Sequence, residues 1–567
     1  MYIDLKNIKN FSIFISIYFL LNLLTSITLS FAIFSIFQGL IFLLSIFIIS
    51  FFLILKNNTL KYEKFFFCLI IFLALFFWSF FFDPALNAND DFGAYLHFYE
   101  KTALEGTLSV DPLSSRRMYT LGGLFPFQGS LSSFKLSYLS LIEPTLGILL
   151  TSVAIISFNK HFLTKTLCII LLMLSPLLGS KVLANTIGVF ILVFFSYTIL
   201  NFYSLFLKNN SRFKELLLVL IIISTSLSLA IKPIPFIFNS IIIFFLIINV
   251  IMLKKINFKF FYYILIGLFL SVLYLYPFLK ASYESSGTLI YPILGDGWRD
   301  SQGPQVFNLY SNILNFKSFA YYIIQPFKDF FFVCTITMMI LLIKKRDFFL
   351  KFSIFISYII FYLTIVFTVG DDLTLMKRYS FPISFSIILF LLNFSLKNIY
   401  FFSNKRFISY MMFTVLFFIL IFAWFLKGEQ VNTNRNKVIN FFNKVDFTRD
   451  LEKINFLKEG ESKILTTGKL SIFLLKNNFE NLIIFDVPFQ MLPWRKKLNI
   501  ITEDDTLSKK SLSENFYRYL ENNKIKYIIV DNIVDNNVNQ SNSLFNIFLI
   551  DKTDAIIFKT FTLYKIK

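Results

Sequence analysis

Residues 87–101, NANDDFGAYLHFYEK, place Asp90 and Asp91 side by side, directly after an apolar run that ends FFWSFFFDP. Two adjacent carboxylates can raise the pKa of one of them for proton abstraction, or can bind a hard divalent cation through oxygen. They can also simply cap a helix, because Asx side chains accept hydrogen bonds from the first free backbone N–H groups. One Asx residue would suffice for a cap, and Asn87 and Asn89 are also present. The surplus favours a site, although both interpretations stay open.

A helix from about residue 91 to residue 103 would position these side chains. Asp90, Ala94, His97 and Lys101 would then fall on one stripe of that helix. His97 would lie one or two turns behind a carboxylate, as an accessory group of the site. If the site holds a metal ion, the two acids are its expected ligands.

The composition places these residues in a membrane protein. The chain has 567 residues, of which 56% are hydrophobic and only 16% charged, and its mean hydropathy is +0.69. Its apolar runs exceed what a soluble core could bury. The three cysteines lie within apolar runs, where a thiol behaves as a small hydrophobic group and a disulfide or zinc cluster is not expected. The composition therefore predicts a polytopic α-helical membrane protein.

Apolar runs long enough to span a bilayer recur along the chain, and we expect about thirteen transmembrane helices. The first run lacks a small-residue cleavage site and a second run follows closely, so it is expected to remain as an anchor. The runs cover approximately residues 11–28, 30–55, 65–82, 137–157, 162–178, 187–207, 215–231, 234–253, 260–279, 320–343, 351–369, 380–396 and 408–427.

Lys and Arg concentrate in alternate loops, and basic loops are retained on the cytoplasmic side of a membrane. This pattern predicts a cytoplasmic N-terminus and explains the net charge of +20 as topology, so nucleic acid is not an expected partner. The basic loops are 56–64, 160–165, 208–215, 254–259, 344–351 and 397–406. The large exterior loops are then 83–135, 280–318 and 370–379.

With an odd number of spans, residues 428–567 fall on the exterior side, after a transmembrane domain of residues 1–427. The tail is more polar, and residues 507–524 have the apolar spacing of a helix. Strands are predicted at 463–468, 482–486, 526–531 and 555–566. We therefore expect a small exterior α/β domain. It contains no Gly-rich phosphate loop or catalytic triad pattern, which favours an accessory or recognition role.

A carboxylate pair in the first large exterior loop, many following spans and an exterior C-terminal α/β domain resemble the integral-membrane glycosyltransferases of the GT-C class. Protein O-mannosyltransferases and the enzymes that add aminoarabinose to lipid A belong to this class. The stretch DDFGAYLHFYEKTALEGTLSVDPLSSRRMYTLGG is similar to the corresponding segment of uncharacterised bacterial members.

This resemblance implies a hexosyl- or pentosyltransferase of the bacterial cytoplasmic (inner) membrane, working among membrane lipids. It would move a sugar from a polyprenyl-phosphate-linked donor to a lipid, glycan or protein on the exterior face. The resemblance places the essential acid at Asp90 or Asp91, as a general base or as a ligand of a divalent cation such as Mg²⁺ or Mn²⁺. Members of the class differ in metal dependence, so the cofactor stays open, as do the sugar, the acceptor and the oligomeric state.

Exterior cations could neutralise the phosphate that leaves in such a reaction. Lys377 and Arg378 depart from the positive-inside pattern and abut a span, and Arg can hold a phosphate bidentately. Their alternative role is surface pairing with Asp371 and Asp372. Lys232 is either a further phosphate ligand or an interfacial side chain that reaches towards water. Arg116 and Arg117 are the remaining candidates, with Asp111 as the acid that would balance them.

The exterior loop at 280–318 contains SSGTLIYPILGDGWRDSQGPQ. Tyr291, Trp298 and Arg299 could form a lid or an acceptor surface, with the aromatic rings stacking on sugar faces. Tyr and Trp are equally typical of the aromatic belt at any membrane interface.

Two other functions compete with the glycosyltransferase. A surface polysaccharide polymerase or ligase would also have many spans and exterior arginines, but an exterior C-terminal domain is not expected in it. A transporter or flippase of a lipid-linked or small solute would keep ionisable groups near mid-membrane, and the predicted span interiors are almost free of them. The glycosyltransferase is the favoured prediction.

Overall fold

The structure of the chain is a computed structural model. It describes residues 5–58, 61–80, 96–111, 121–131, 142–159, 162–173, 188–208, 213–252, 258–286, 289, 325–341, 348–369, 373–396, 445–458, 460, 462–479, 481–485, 509–532, 548–549 and 551–567.

The described helices before residue 400 form one bundle. They are α1 Leu5–Ser30, α2 Ile36–Asn57, α3 Lys61–Phe80, α4 Leu96–Glu105, α5 Phe125–Gly129, α6 Ile142–Phe158, α7 Phe162–Met173, α8 Val189–Lys208, α9 Lys214–Ile231, α10 Pro233–Met252, α11 Phe258–Ser286, α12 Phe330–Leu341, α13 Phe348–Val369 and α14 Leu373–Leu396. A 3₁₀ turn, Gln325–Lys328, precedes α12.

Seven helices in the described part of the chain are long and apolar enough to cross a membrane, namely α1, α2, α8, α9, α10, α11 and α13. The chain is therefore a multi-pass membrane protein. The predicted runs at 65–82, 137–157, 162–178, 320–343 and 380–396 are helical over part of their length, in α3, α6, α7, α12 and α14. The predicted last span, 408–427, lies outside the described residues.

Helix α8 lies at the centre of the bundle. Its most apolar 18-residue stretch is 100% buried, whereas the corresponding stretch of α11 is only 28% buried. It packs against α6, α9 and α14. Asparagine side chains also form hydrogen bonds between helices within the bundle, where few water molecules compete for the donors and acceptors. Asn393 of α14 donates to the Tyr197 hydroxyl of α8 at 3.0 Å. A helix that is apolar all round is expected at such a central position.

Helix ends that the loop charges predict to lie on the same side of the membrane lie together at one end of the bundle. At one end, Asn57 donates to Ser157 Oγ at 2.9 Å and Lys165 donates to Asn58 Oδ1 at 2.8 Å. These residues lie at or beside loops predicted to share the cytoplasmic side. At the other end, Phe34 N donates to Gly106 O at 3.2 Å. Segments predicted to lie on the same side therefore meet at the same end of the bundle.

The tail folds into a five-stranded sheet in the order β2-β1-β3-β5-β4. The strand β1 pairs in parallel with β2 and β3, and β5 runs antiparallel to β3 and β4. The elements are α15 Val445–Lys453, β1 Lys463–Thr467, α16 Gly468–Leu475, β2 Leu482–Phe485, α17 Lys509–Asn522, β3 Ile525–Asp531, β4 Thr553–Ile557 and β5 Phe561–Ile566. The predicted helix at 507–524 and the first three predicted strands are confirmed.

The predicted single strand at 555–566 is wrong, because the structure has a hairpin of β4 and β5 there. The segment AIIFKTFTLYKI has none of the Gly, Asn, Asp or Pro residues that usually mark a turn. A side chain distant in sequence stabilises the turn instead. Asp450 of α15 accepts hydrogen bonds from Thr560 N at 3.0 Å and from Thr560 Oγ1 at 2.8 Å.

Candidate functional site

The predicted acids Asp90 and Asp91 lie outside the described residues. The same holds for the other candidates of the exterior loops, Arg116, Arg117, Tyr291, Trp298 and Arg299. The helix expected at about 91–103 is described from Leu96, as α4. At the same end of the bundle, the structure describes α4, the segment 121–124 and the ends of α9, α12, α13 and α14.

Lys232 lies at the junction of α9 and α10. Its backbone is extended, with φ −148° and ψ 134°, and its N–H donates to Ser228 O. Pro233 starts α10, and a residue before proline is driven out of the helical conformation, which explains the break. The side chain is only 8% exposed, and its Nζ lies 5.9 Å from the centroid of the Tyr379 ring. Lys232 is thus a buried cation on an aromatic face.

Tyr379 belongs to α14 and directly follows Lys377 and Arg378. The predicted span began at residue 380, but the helix begins at Leu373, so the two cations lie in its second turn. The partial positive charge of a helix start also favours anions. The contact between Lys232 and Tyr379 therefore brings two separate groups of predicted phosphate-binding residues to one place.

The first loop predicted to be exterior, residues 83–135, reaches the same place through a glycine pair. Gly123 N donates to Ala230 O at 2.9 Å, two residues before Lys232. A Cβ on Gly123 would lie 2.8 Å from the Ala230 Cβ, so only glycine permits this approach. Gly122 has a φ of +90°, a conformation that favours glycine. The LGG that ends the quoted GT-C-like stretch thus fixes this loop on the end of α9.

Asp329 is a buried acid that the sequence analysis missed. It is fully buried between the 3₁₀ turn and α12. Its Oδ2 accepts from Tyr362 of α13 at 2.5 Å and from Ser380 of α14 at 3.1 Å. Ser380 follows Tyr379, so Asp329 braces the part of α14 that faces Lys232. The available signal was an acid at the start of an apolar run, in QPFKDFFF, where a helix begins.

His97, the predicted accessory residue, is fully buried in α4. Its ring lies 4.0 Å from that of Phe98, and Phe98 stacks on Phe125 of α5 at 5.8 Å. The Nζ atom of Lys101, one turn further along, donates to both carboxylate oxygens of Asp111 at 3.1 Å. Asp111, predicted to balance Arg116 and Arg117, is thus engaged by Lys101.

The described residues contain no group of three or more His, Cys, Asp or Glu side chains that could hold a metal ion. The ligands predicted for a divalent cation, Asp90 and Asp91, precede α4 and are not among them.

No protein-family model matches the chain, and no curated protein matches it. Solved structures do. The chain is similar to the crystal structure of the Archaeoglobus fulgidus oligosaccharyltransferase in the apo form, at 11% identity and a TM-score of 0.38, over 83% of this chain and 70% of that one. It is also similar to the archaeal oligosaccharyltransferase AglB from Archaeoglobus fulgidus in complex with an inhibitory peptide and a dolichol-phosphate. That match has 12% identity and a TM-score of 0.33, with the same coverage.

In this chain, the chemistry open to the described site follows from its residues. A buried lysine on an aromatic face, beside the first turns of α14, provides positive charge where water is largely excluded, and such charge binds phosphate strongly.

Proposed function

We propose that this protein is a glycosyltransferase that moves a sugar from a polyprenyl-phosphate-linked donor to an acceptor at the exterior face of a bacterial inner membrane. The N-terminus would lie in the cytoplasm and residues 428–567 outside. One observation carries the proposal. Gly123 of the first exterior loop binds the end of α9 beside Lys232, and Lys232 contacts Tyr379 next to Lys377 and Arg378.

The cations would bind the donor phosphate. Lys232 is 8% exposed, and a cation with little water around it interacts more strongly with an anion than one in bulk solvent. Arg378 would add bidentate hydrogen bonds and Lys377 a point charge. Arg116 and Arg117 lie between two described parts of the first exterior loop and would complete this role. Together these groups would stabilise the charge that develops on the leaving phosphate.

The acids would act on the acceptor. An acceptor hydroxyl oxygen would attack the anomeric carbon of the sugar, and the bond between that carbon and the phosphate oxygen would break. The proton of the hydroxyl would pass to Asp90 or Asp91 as the general base, and the polyprenyl phosphate would leave. The same pair could instead hold a divalent cation. Tyr291, Trp298 and Arg299 would contact the acceptor.

Donor dependence tests the phosphate site. Purified protein would be mixed with a polyprenyl-phosphate-linked sugar and membranes from cells that lack the protein, and release of polyprenyl phosphate would be measured. Lys232→Gln and Arg378→Gln should each raise the donor concentration for half-maximal rate about tenfold, since a charged hydrogen bond contributes roughly 1.5–3 kcal/mol. Lys280→Gln is the matched control, because Lys280 is exposed at the end of α11.

An unchanged donor concentration for half-maximal rate in a correctly inserted Lys232→Gln protein would contradict the proposed phosphate site. A wild-type protein that moves the donor across vesicle membranes without converting it would instead support the transporter.

A further inference from the structure

The C-terminal sheet meets the first exterior loop along the strand β2. This strand is at the edge of the sheet, with β1 on its inner side. Edge strands leave a row of N–H and C=O groups without a neighbouring strand, and proteins usually cover such an edge. Among the described residues, the cover comes from side chains of the first loop predicted to be exterior, with no further strand paired to β2.

Two side chains complete the outer edge of β2. Lys101 Nζ donates to Leu482 O at 2.9 Å, and Ile484 N donates to Asp111 Oδ1 at 2.9 Å. The ammonium therefore replaces an N–H of a missing strand, and the carboxylate replaces a C=O. The two groups also bind each other, at 3.1 Å to both carboxylate oxygens. We call this four-group contact the clasp.

The clasp is buried. The side chains of Lys101 and Asp111 are 4% and 0% exposed. Burial alone lowers the pKa of Lys101, but the carboxylates of Asp111 and Glu105 outweigh that effect, and its pKa lies above its ordinary value. A buried ion pair stabilises a protein only where its geometry and further hydrogen bonds offset the loss of water. Those further bonds are made here by the backbone of β2.

A second contact flanks the clasp. Glu100, the neighbour of Lys101, lies with its Oε2 3.5 Å from Nζ of Lys476, just beyond the helix α16. The helix α4 therefore touches the tail through two consecutive residues, one on the sheet edge and one at the end of α16.

The other side of this loop is fixed to the bundle. Gly106 directly follows α4, and its C=O accepts from Phe34 N at 3.2 Å. The Thr107 hydroxyl donates to Leu29 O at 2.9 Å. The segment from Lys101 to Asp111 is thus held between the tip of α1 and α2 and the edge of β2.

We propose that Lys101 and Asp111 are positioning residues, and that the C-terminal domain holds α4, and with it the acid pair that precedes α4, in place relative to the phosphate site. The domain would then be a working part of the transferase, not a separate recognition module. The docking rests on the contacts alone, while its catalytic consequence rests on the proposed function.

Hydrogen–deuterium exchange on the full-length protein tests the docking. In Lys101→Met, the amides of α4 and of Ile484 should exchange faster than in wild type, because the clasp is lost. The double variant Lys101→Met with Asp111→Leu leaves neither member of the fully buried pair as an unpaired charge, and Glu105, which Lys101 also contacts at 3.5 Å, is 32% exposed. It should therefore fold with wild-type exchange in β3 and β5. It cannot bind the edge of β2, so α4 and Ile484 should still exchange fast. Lys526→Met, at an exposed residue of β3, is the control.

Transfer kinetics on the same proteins test the positioning. The double variant should lower kcat by roughly tenfold or more, since small displacements of reacting groups cost large factors in rate, and should leave the donor KM unchanged. Wild-type exchange in α4 and Ile484 of the double variant would overturn the clasp. Fast exchange with wild-type kcat, or with a raised KM alone, would overturn the positioning role. If the wild-type protein transfers no sugar, the proposed function fails, and the exchange data still decide whether the clasp exists.

Discussion

Tyr362 and Ser380 share one carboxylate oxygen of Asp329, and this buried hydrogen-bonded group joins α12, α13 and α14. An acid with 0% exposure requires such donors, because an unsatisfied buried carboxylate is costly. The group lies one residue from Tyr379, the ring that Lys232 covers. Its role is to fix the start of α14, so we expect its loss to appear first as lower stability.

Tyr362→Phe should lower the free energy of unfolding by about 1–3 kcal/mol, since a buried carboxyl oxygen of Asp329 loses a hydrogen-bond donor. Thermal unfolding in detergent would measure this as a lower midpoint. Tyr276→Phe is a suitable control, because Tyr276 is 56% exposed on α11. Equal midpoints for the two variants would contradict the assigned role of Asp329.

Glu100 makes stability depend on pH. Burial raises the pKa of its carboxyl above the ordinary value, and Lys476 offsets this only in part. Between the ordinary and the raised value the folded protein binds more protons than the unfolded chain, so this contribution to stability is greatest on the acid side. It is lost as pH rises through the raised pKa.

We therefore expect the temperature of the unfolding midpoint to decrease as the pH is raised from the ordinary carboxyl range to neutral. The Glu100→Gln protein should show a smaller decrease. Glu452→Gln, at an exposed residue of α15, should keep the wild-type profile. A Glu100→Gln profile parallel to that of wild type would show that Glu100 does not carry this dependence.

The segment 121–124 and the helix α9 can approach only because residue 123 has no side chain. In Gly123→Ala the new Cβ would meet the Ala230 Cβ at 2.8 Å and its backbone at 3.0 Å, so the loop must shift. We expect a loss of about 1–3 kcal/mol in stability, as in other overpacked contacts, and a lower transfer rate from loss of the Gly123 hydrogen bond. Thermal unfolding and transfer kinetics would measure both.

Gly460→Ala is the matched control, because the nearest atoms to a Cβ there lie at 3.7 and 3.9 Å. A Gly123→Ala protein with the stability and rate of that control would contradict the importance of this contact.

Sequence periodicity predicts these elements well where the signal is local. Long apolar runs locate the long helices, short strand-like segments locate β1, β2 and β3, and the helical spacing of apolar residues locates α17. The β4–β5 turn fails because its determinant, Asp450, is 110 residues away from Thr560. Lys101 and Asp111 are only ten residues apart, but their shared partner β2 is 381 residues from Lys101. No local pattern marks such contacts. Asp329 does have a local signal, an acid at the start of an apolar run, but its partners Tyr362 and Ser380 are 33 and 51 residues away.

The whole molecule combines a bundle of apolar helices with a sheet that docks on one end of it. The described parts of the first loop predicted to be exterior, the buried Lys232, the start of α14 and the C-terminal sheet belong to that end. Residues at or beside the predicted cytoplasmic loops 56–64 and 160–165 form polar contacts at the other end. A reaction between a membrane-embedded donor and an acceptor outside the membrane needs this kind of one-sided arrangement.

The most direct measurement of the central claim is mass spectrometry of surface glycans from cells that carry wild-type protein or the double variant Asp90→Asn with Asp91→Asn. Membrane levels of the two proteins would be matched, and Asp551→Asn, at an exposed residue of the C-terminal domain, would be the control. We predict that the double variant loses one sugar increment and accumulates the truncated acceptor, while the control does neither. Unchanged glycans in the double variant, with the glycan detected in wild type, would contradict the account.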